Sequence, residues 1–258
     1  MRVFRAITLV GILLLTGCAT ISAPNAAQQA QAQQAETLYS QGQFEQAAQA
    51  YIDLAAQGSS ASDYFRLRAA DAWRDNGSLE RTAQVLQTIN RKRLQPADAQ
   101  RYDLLAAEIA LSQNDFARTL ELISTPISSY PSRLRMRALE LRARAQAGSG
   151  DAWAAAQTRA SMDAQLHGMD QAQNRQQTIK LLTGLGAPTL QQHATALAAD
   201  DPMQRWVTVA LEQLGVAVAQ NLPALNHPVG TLMPGTQNAQ GYRMPQRLAL
   251  LLPTSGSL

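Results

Sequence analysis

The chain has 258 residues, room for one or two domains. Only 5% of it is aromatic, while Ala, Gln, Leu and Arg are plentiful, a balance that suits closely packed helices and argues against a β-sandwich or barrel. Basic residues number 22 and acidic ones 19, and without Arg2 and Arg5 at the extreme amino terminus the balance is 20 to 19, which gives no case for a nucleic-acid partner.

Arg2 and Arg5 precede an apolar run from Ala6 to Leu15, after which small residues lead to Cys18. That is the layout of a secretory signal peptide, with a charged start and an apolar core too short to span a bilayer. The ending Leu15-Thr16-Gly17-Cys18 resembles a bacterial lipobox. In proteins that carry one, the cysteine sulfur receives a diacylglyceryl group, the peptide is cut before it, and the new amino terminus is acylated. The resemblance makes residues 1–17 a lipoprotein signal peptide and Cys18 the point of lipid attachment. Two or three acyl chains hold a protein on a membrane where one does so only marginally. In similar lipoproteins an aspartate after the cysteine retains the protein at the inner membrane. Ala19 in its place points to the outer membrane, with the polypeptide on the periplasmic side. No other run approaches the roughly 20 apolar residues of a membrane span. Cys18 is the only cysteine, so once it carries lipid no disulfide, thiolate chemistry or cysteine-based metal site remains. The covalent lipid at Cys18 is the one non-protein group expected, and no cofactor or metal is.

Residues 18–35 read as a lipidated tether. From Asn25 to Ala35 they are almost wholly Ala and Gln, a composition that also fits the frayed start of a first helix. A repeat follows. Gly42-Gln43-Phe44-Glu45-Gln46-Ala47-Ala48 recurs in outline at Gly77, at Asn114 and at Asp151, with offsets of 35, 37 and 37 residues. Each copy has a turn residue, one intervening position, a large apolar residue and a small residue three further on. Physically that is a helix ending at Gly or Asn, a tight turn, and a second helix that packs closely on the first. The pattern resembles tetratricopeptide repeats, helix–turn–helix units with a period near 34.

Punctuation divides the rest. Proline stands at helix starts in Pro96-Ala97-Asp98 and Asp201-Pro202, and Ser132 after Pro131 offers a cap. The segment after Ser132 is crowded with Arg133, Arg135, Arg137, Arg142 and Arg144. Leu134, Ala138, Leu141 and Ala145 form an apolar stripe at helical period there, so the arginines should flank it and face outward. A solvated helix face accounts for them. The sharper alternative makes Arg133, Arg135 and Arg137 an anionic contact, since peptidoglycan carries carboxylates that guanidinium groups grip in pairs. Further helices are predicted at about 175–184, 189–199 and 202–219. Residues 221–246 are rich in Pro and Gly and read as a linker. Residues 247–258 open with Arg247-Leu248-Ala249-Leu250-Leu251-Leu252-Pro253-Thr254-Ser255-Gly256, which reads as a strand buried on both faces. A lone strand has nothing to pair with, so a truncated second domain is expected.

The fold class expected is therefore all-α, a tetratricopeptide-like helical repeat solenoid over residues 36–220, then a linker and the first strand of a truncated α/β domain. Lipobox, helical repeats, linker and terminal strand together resemble the LpoA family, outer-membrane lipoprotein activators of class A penicillin-binding proteins. The resemblance implies a periplasmic-binding-protein-like carboxy-terminal domain and a non-enzymatic regulator of peptidoglycan synthesis. It implies a class A penicillin-binding protein as partner, reached across the periplasm from a lipid anchor, and admits peptidoglycan as a second partner. Much of the contact with the synthase belongs, in that family, to the carboxy-terminal domain, so no activating residues carry over. A tetratricopeptide-type scaffold lipoprotein for outer-membrane assembly or secretion would share the anchor and the repeats, but would not need Arg247–Gly256. His167, His193 and His227 are scattered without metal-ligand spacing or a nucleophile motif, so no enzyme is expected.

Overall fold

The computed structural model describes residues 25–216, and among these every regular element is helical. The signal peptide, Cys18, the linker and the predicted strand lie outside the described residues. Eleven α-helices are present among them: α1 (Ala26–Ser40), α2 (Phe44–Ala56), α3 (Ser62–Asp75), α4 (Leu79–Gln87), α5 (Pro96–Ser112), α6 (Phe116–Leu122), α7 (Ser132–Gly148), α8 (Ala152–Met162), α9 (Gly168–Gly184), α10 (Ala187–Ala196) and α11 (Met203–Gln213).

The Ala/Gln stretch is helix rather than tether from Ala26 onward. Asn25 caps it through a reciprocal box: its side chain accepts from Gln28 N at 2.8 Å, and Gln28 accepts from Asn25 N at 3.1 Å. Alanine and glutamine lose little entropy in a helix, and Ala35 is fully buried against α2, so the segment continues into the fold.

The repeat is realised as four helix pairs, α1/α2, α3/α4, α5/α6 and α7/α8, each closed by the same turn. Gly42, Gly77, Asn114 and Gly150 take positive φ of 74°, 78°, 60° and 88°. The next residue's N–H reaches back five positions: Gln43 to Leu38 O, Ser78 to Trp73 O, Asp115 to Ala110 O and Asp151 to Gln146 O, all at 2.8–2.9 Å. This is the Schellman closure, which satisfies carbonyls at the end of the first helix. The second helix starts two residues after the left-handed one. Its fourth residue is Ala47, Thr82, Thr119 or Ala155, each with 0% exposure. Small side chains there let the paired helices approach, and the Thr82 and Thr119 hydroxyls are satisfied by Ser78 O at 3.0 Å and Asp115 O at 2.8 Å.

Two sequence readings shift. The fourth copy turns at Gly150, one residue before the Asp151 chosen from the pattern, so Trp153 does not occupy the large apolar position. It stacks on His193 instead, with centroids 3.9 Å apart. The last helix stops at Gln213 rather than near 219, because Gly215 (φ 76°) closes it with another turn of the same kind.

The described chain divides into two compact units, with the boundary between Leu141 and Arg142 inside α7. In the first, Ala47, Ala48, Tyr51, Leu54, Phe65, Ala69 and Trp73 join α1, α2 and α3, while Leu67, Leu86, Ile89 and Leu105 join α3, α4 and α5. In the second, α9 packs on α8, and Ile179, Leu182, Leu190, Met203, Trp206, Val207 and Leu211 form the core with α10 and α11. Asp201 caps the start of α11 by accepting from Met203 N at 2.7 Å.

The turn chemistry yields a direct test. A Cβ at Gly77 would meet nothing within 4 Å, so the cost of Gly77→Ala is conformational alone, about 1 kcal/mol. Asn114→Gly should cost nothing or stabilise slightly. Urea unfolding midpoints check both, and an unchanged midpoint for Gly77→Ala would refute left-handed strain as the reason for glycine.

Candidate functional site

The first helices of the pairs in the first unit carry an unusual density of charge, and they carry it inward. Asp71 on α3 lies with its side chain only 5% exposed, faced by four guanidinium groups. Arg101 of α5 is nearest at 3.5 Å, Arg68 and Arg137 stand at 3.8 Å, and Arg74 at 3.9 Å. Loss of water pushes the Asp71 carboxyl up from the usual carboxylate range, against the pull of the four arginines. The surrounding carboxylates divide the arginines among them. Arg137 Nε donates to Glu108 at 2.6 Å, Arg74 Nε stands 3.1 Å from Asp75, and Arg101 stands 3.9 Å from Asp98. Arg68 donates to Glu36 on α1 and lies over the Tyr39 and Tyr51 rings at 4.9 and 5.3 Å.

Tyrosines complete the arrangement. Tyr39 donates to Asp75, and Tyr51 donates to Glu36 at 2.6 Å. Burial, with the bond to Glu36, pushes the Tyr51 hydroxyl up to about 12. At Glu36 burial alone would raise the carboxyl, but hydrogen bonds from Tyr51 and Arg68 and the charges of Arg68 and Arg101 hold it below its ordinary value. Arg137 Nη2 is buried without a hydrogen-bond partner. The first helices thus enclose a largely buried network of charges of both signs, held together by paired guanidinium and carboxylate groups. Among the described residues no group of three His, Cys, Asp or Glu is placed to hold a metal ion.

The three arginines singled out in α7 do not share one face. Arg137 turns inward to meet Glu108 and Asp71, and so departs from the outward position expected of it. Helical period puts residue 137 beside the apolar stripe, and the carboxylates of α3 and α5 draw it in. Arg135 donates to Tyr130 O at 2.9 Å and Ser128 O at 3.3 Å, tying the preceding loop to the helix. Arg133 is exposed in the first turn. Leu134, Ala138, Leu141 and Ala145 are buried as their spacing requires. Leu15, Thr16, Gly17 and Cys18 lie outside the described residues. Asp71 was not visible as a hub from sequence. The signal was Arg68, Asp71 and Arg74 at three-residue spacing, interleaved with Ala69, Ala70 and Ala72.

This geometry makes three predictions. Asp71→Ala leaves several arginines facing one another without their shared anion and should cost about 3–5 kcal/mol in chemical unfolding. Arg81→Gln, at an exposed pair with Glu45, should cost under about 1 kcal/mol. The Glu36 carboxyl is held below the ordinary carboxylate value of 4.5, so its contribution is complete above that pH and fades as pH falls through the lower folded value. The melting-temperature gap between the parent and Glu36→Gln should therefore be widest above pH 4.5 and close on further acidification. A gap independent of pH would refute the ionised pairing.

The sequence profile of the LppC lipoprotein family matches residues 40–258. Among solved structures, the amino-terminal domain of E. coli LpoA resembles this chain with a TM-score of 0.50 at 18% identity, over 75% of this chain and 82% of that one. At that identity the likeness shows the fold. No curated protein matches the chain.

Proposed function

From the membership of this chain in the LppC lipoprotein family, we propose that it is a non-enzymatic regulator of peptidoglycan synthesis, anchored in the outer membrane by lipid at Cys18. Its partner is a class A penicillin-binding protein, which it activates across the periplasm. The observation that carries the reading is the family match over residues 40–258, and the helical-repeat likeness to the LpoA amino-terminal domain supports it. Leu15-Thr16-Gly17-Cys18 supplies the lipidation sequence, and Ala19 the outer-membrane sorting residue.

The structure suits such a role physically. Helix pairs with a common turn make a framework whose first helices present one surface, and a framework of this kind serves binding rather than chemistry.

The anchor is tested by palmitate labelling in cells. Cys18→Ser should abolish the label and release the protein from the membrane fraction, and Ala19→Asp should move it to inner-membrane density. Retained label in Cys18→Ser would overturn the lipoprotein anchor. For the partner, photo-crosslinking from exposed positions of the first unit, such as Tyr64, in growing cells should trap a class A penicillin-binding protein, and deleting the gene should lower crosslinked peptidoglycan. Capture of outer-membrane assembly or secretion proteins with unchanged peptidoglycan would favour a scaffold instead.

A further inference from the structure

Alternation of helix direction sorts the connections of the first unit to two ends. The tight turns at Gly42, Gly77 and Asn114 lie at one end. The start of α1 and the loops α2–α3, α4–α5 and α6–α7 lie at the other. Contacts show this directly: Gln57, just past α2, donates to Gln31 near the start of α1 at 2.8 Å, and Gln100 in the second turn of α5 donates to Ser129 O of the α6–α7 loop at 3.2 Å.

The two ends differ in charge. The α4–α5 loop carries Arg91-Lys92-Arg93 as a single 3-10 turn, fixed by Asn90, whose side chain accepts from Lys92 N. Arg91 is engaged with Asp103 in a two-pronged pair. Lys92 and Arg93 are exposed, as is Arg133 at the start of α7, and among the described residues none of the three has an ion-pair partner. The acids of this end are mostly occupied: Asp63 pairs with Arg66, Asp98 stands beside Arg101, and Asp103 holds Arg91. Asp53 remains, exposed, and accepts from Gln49. At the opposite end Arg74, Arg81 and Arg118 are all paired, with Asp75, Glu45 and Glu121.

The surplus of cations therefore sits at the end where the amino terminus enters. Asn25 stands seven positions after Cys18, a span of at most about 25 Å. We propose that this end, through Lys92, Arg93 and Arg133, is a membrane-contact face that binds anionic lipid headgroups beside the anchor. The proposal rests on Cys18 as the anchor, which places this end within reach of the bilayer. Exposed cations at an anionic surface each add modestly and are screened within about 10 Å at ordinary salt. The lipid holds the protein, and the cations set which end faces the membrane.

The test uses the chain from residue 18 onward with Cys18→Ser, so that no acyl chain contributes. Co-sedimentation is measured with vesicles of pure phosphatidylcholine and with vesicles containing phosphatidylglycerol. Binding should be confined to the anionic vesicles and be lost in high salt. The combined variant Lys92→Gln, Arg93→Gln and Arg133→Gln should weaken it by roughly 100-fold in low salt, with helicity by circular dichroism unchanged. Equal binding to both vesicles, or unaltered binding by the triple variant, overturns the proposal. So does binding to cell-wall sacculi alone that the triple variant loses, because the face would then meet peptidoglycan. Failure of palmitate labelling is read in a separate experiment and marks failure of the anchor, not of this surface.

Discussion

Everything in the repeat depends on how near two antiparallel helices can come. A left-handed residue ends the first helix of each pair, and the fourth residue of the next helix is small and wholly buried. The turn fixes direction and the small side chain fixes distance. Alanine serves in the first and fourth pairs. Threonine serves in the second and third, where its hydroxyl bonds back to the residue four before it and its methyl still fits. With spacing set in this way, large residues are needed only between pairs, which is why a chain with so few aromatics can close a core. Tyr51, Phe65 and Trp73 are gathered where α1, α2 and α3 meet, and Trp206 anchors the second unit.

Close packing of first helices has an electrostatic counterpart. Asp71 sits where α3 faces α5 and the start of α7, and its charge is shared among arginines from three helices. Burying those ions is costly, and the arrangement persists because each guanidinium also has a carboxylate or aromatic neighbour. Glu36 and Glu108 extend the system to α1 and along α5, so that it follows the repeat. A protein built only for stability would fill this seam with leucine. Charges kept there fix which helices face one another, because each guanidinium finds its carboxylate in only one arrangement.

Sequence alone disclosed the turns because glycine and asparagine are the residues that tolerate positive φ, and their offsets repeat. It misplaced the fourth copy by one residue, since Trp153 looked like the bulky member of the motif when Ala152 holds that place. Helix ends were legible where a residue caps with its own side chain, as at Asp201, and less so at Gly215, which lies within an apolar run. The buried charge network was not legible. Charges at three-residue spacing look like a solvated face until it is known which helices lie opposite, and that depends on contacts more than thirty residues apart, such as Glu36 with Arg68. The same blindness scattered the α7 arginines: Arg137 is drawn inward by Glu108, which no local pattern indicates.

The composition of α1 carries a mechanical consequence. A pull on the amino terminus enters the fold at Asn25, and over the next ten residues only Gln28 and Ala35 are buried. Before Glu36 the ties are an exposed bond from Gln57 to Gln31 and the burial of Ala35, and the charged bonds begin at Glu36, which accepts from Tyr51 and Arg68, and continue through Tyr39. Load would peel the opening turns of α1 before it reached those bonds, lengthening the leash by several residues while the remaining helices stayed packed. The first turns of α1 would thus yield as a short extensible spring before the packed helices behind them are disturbed.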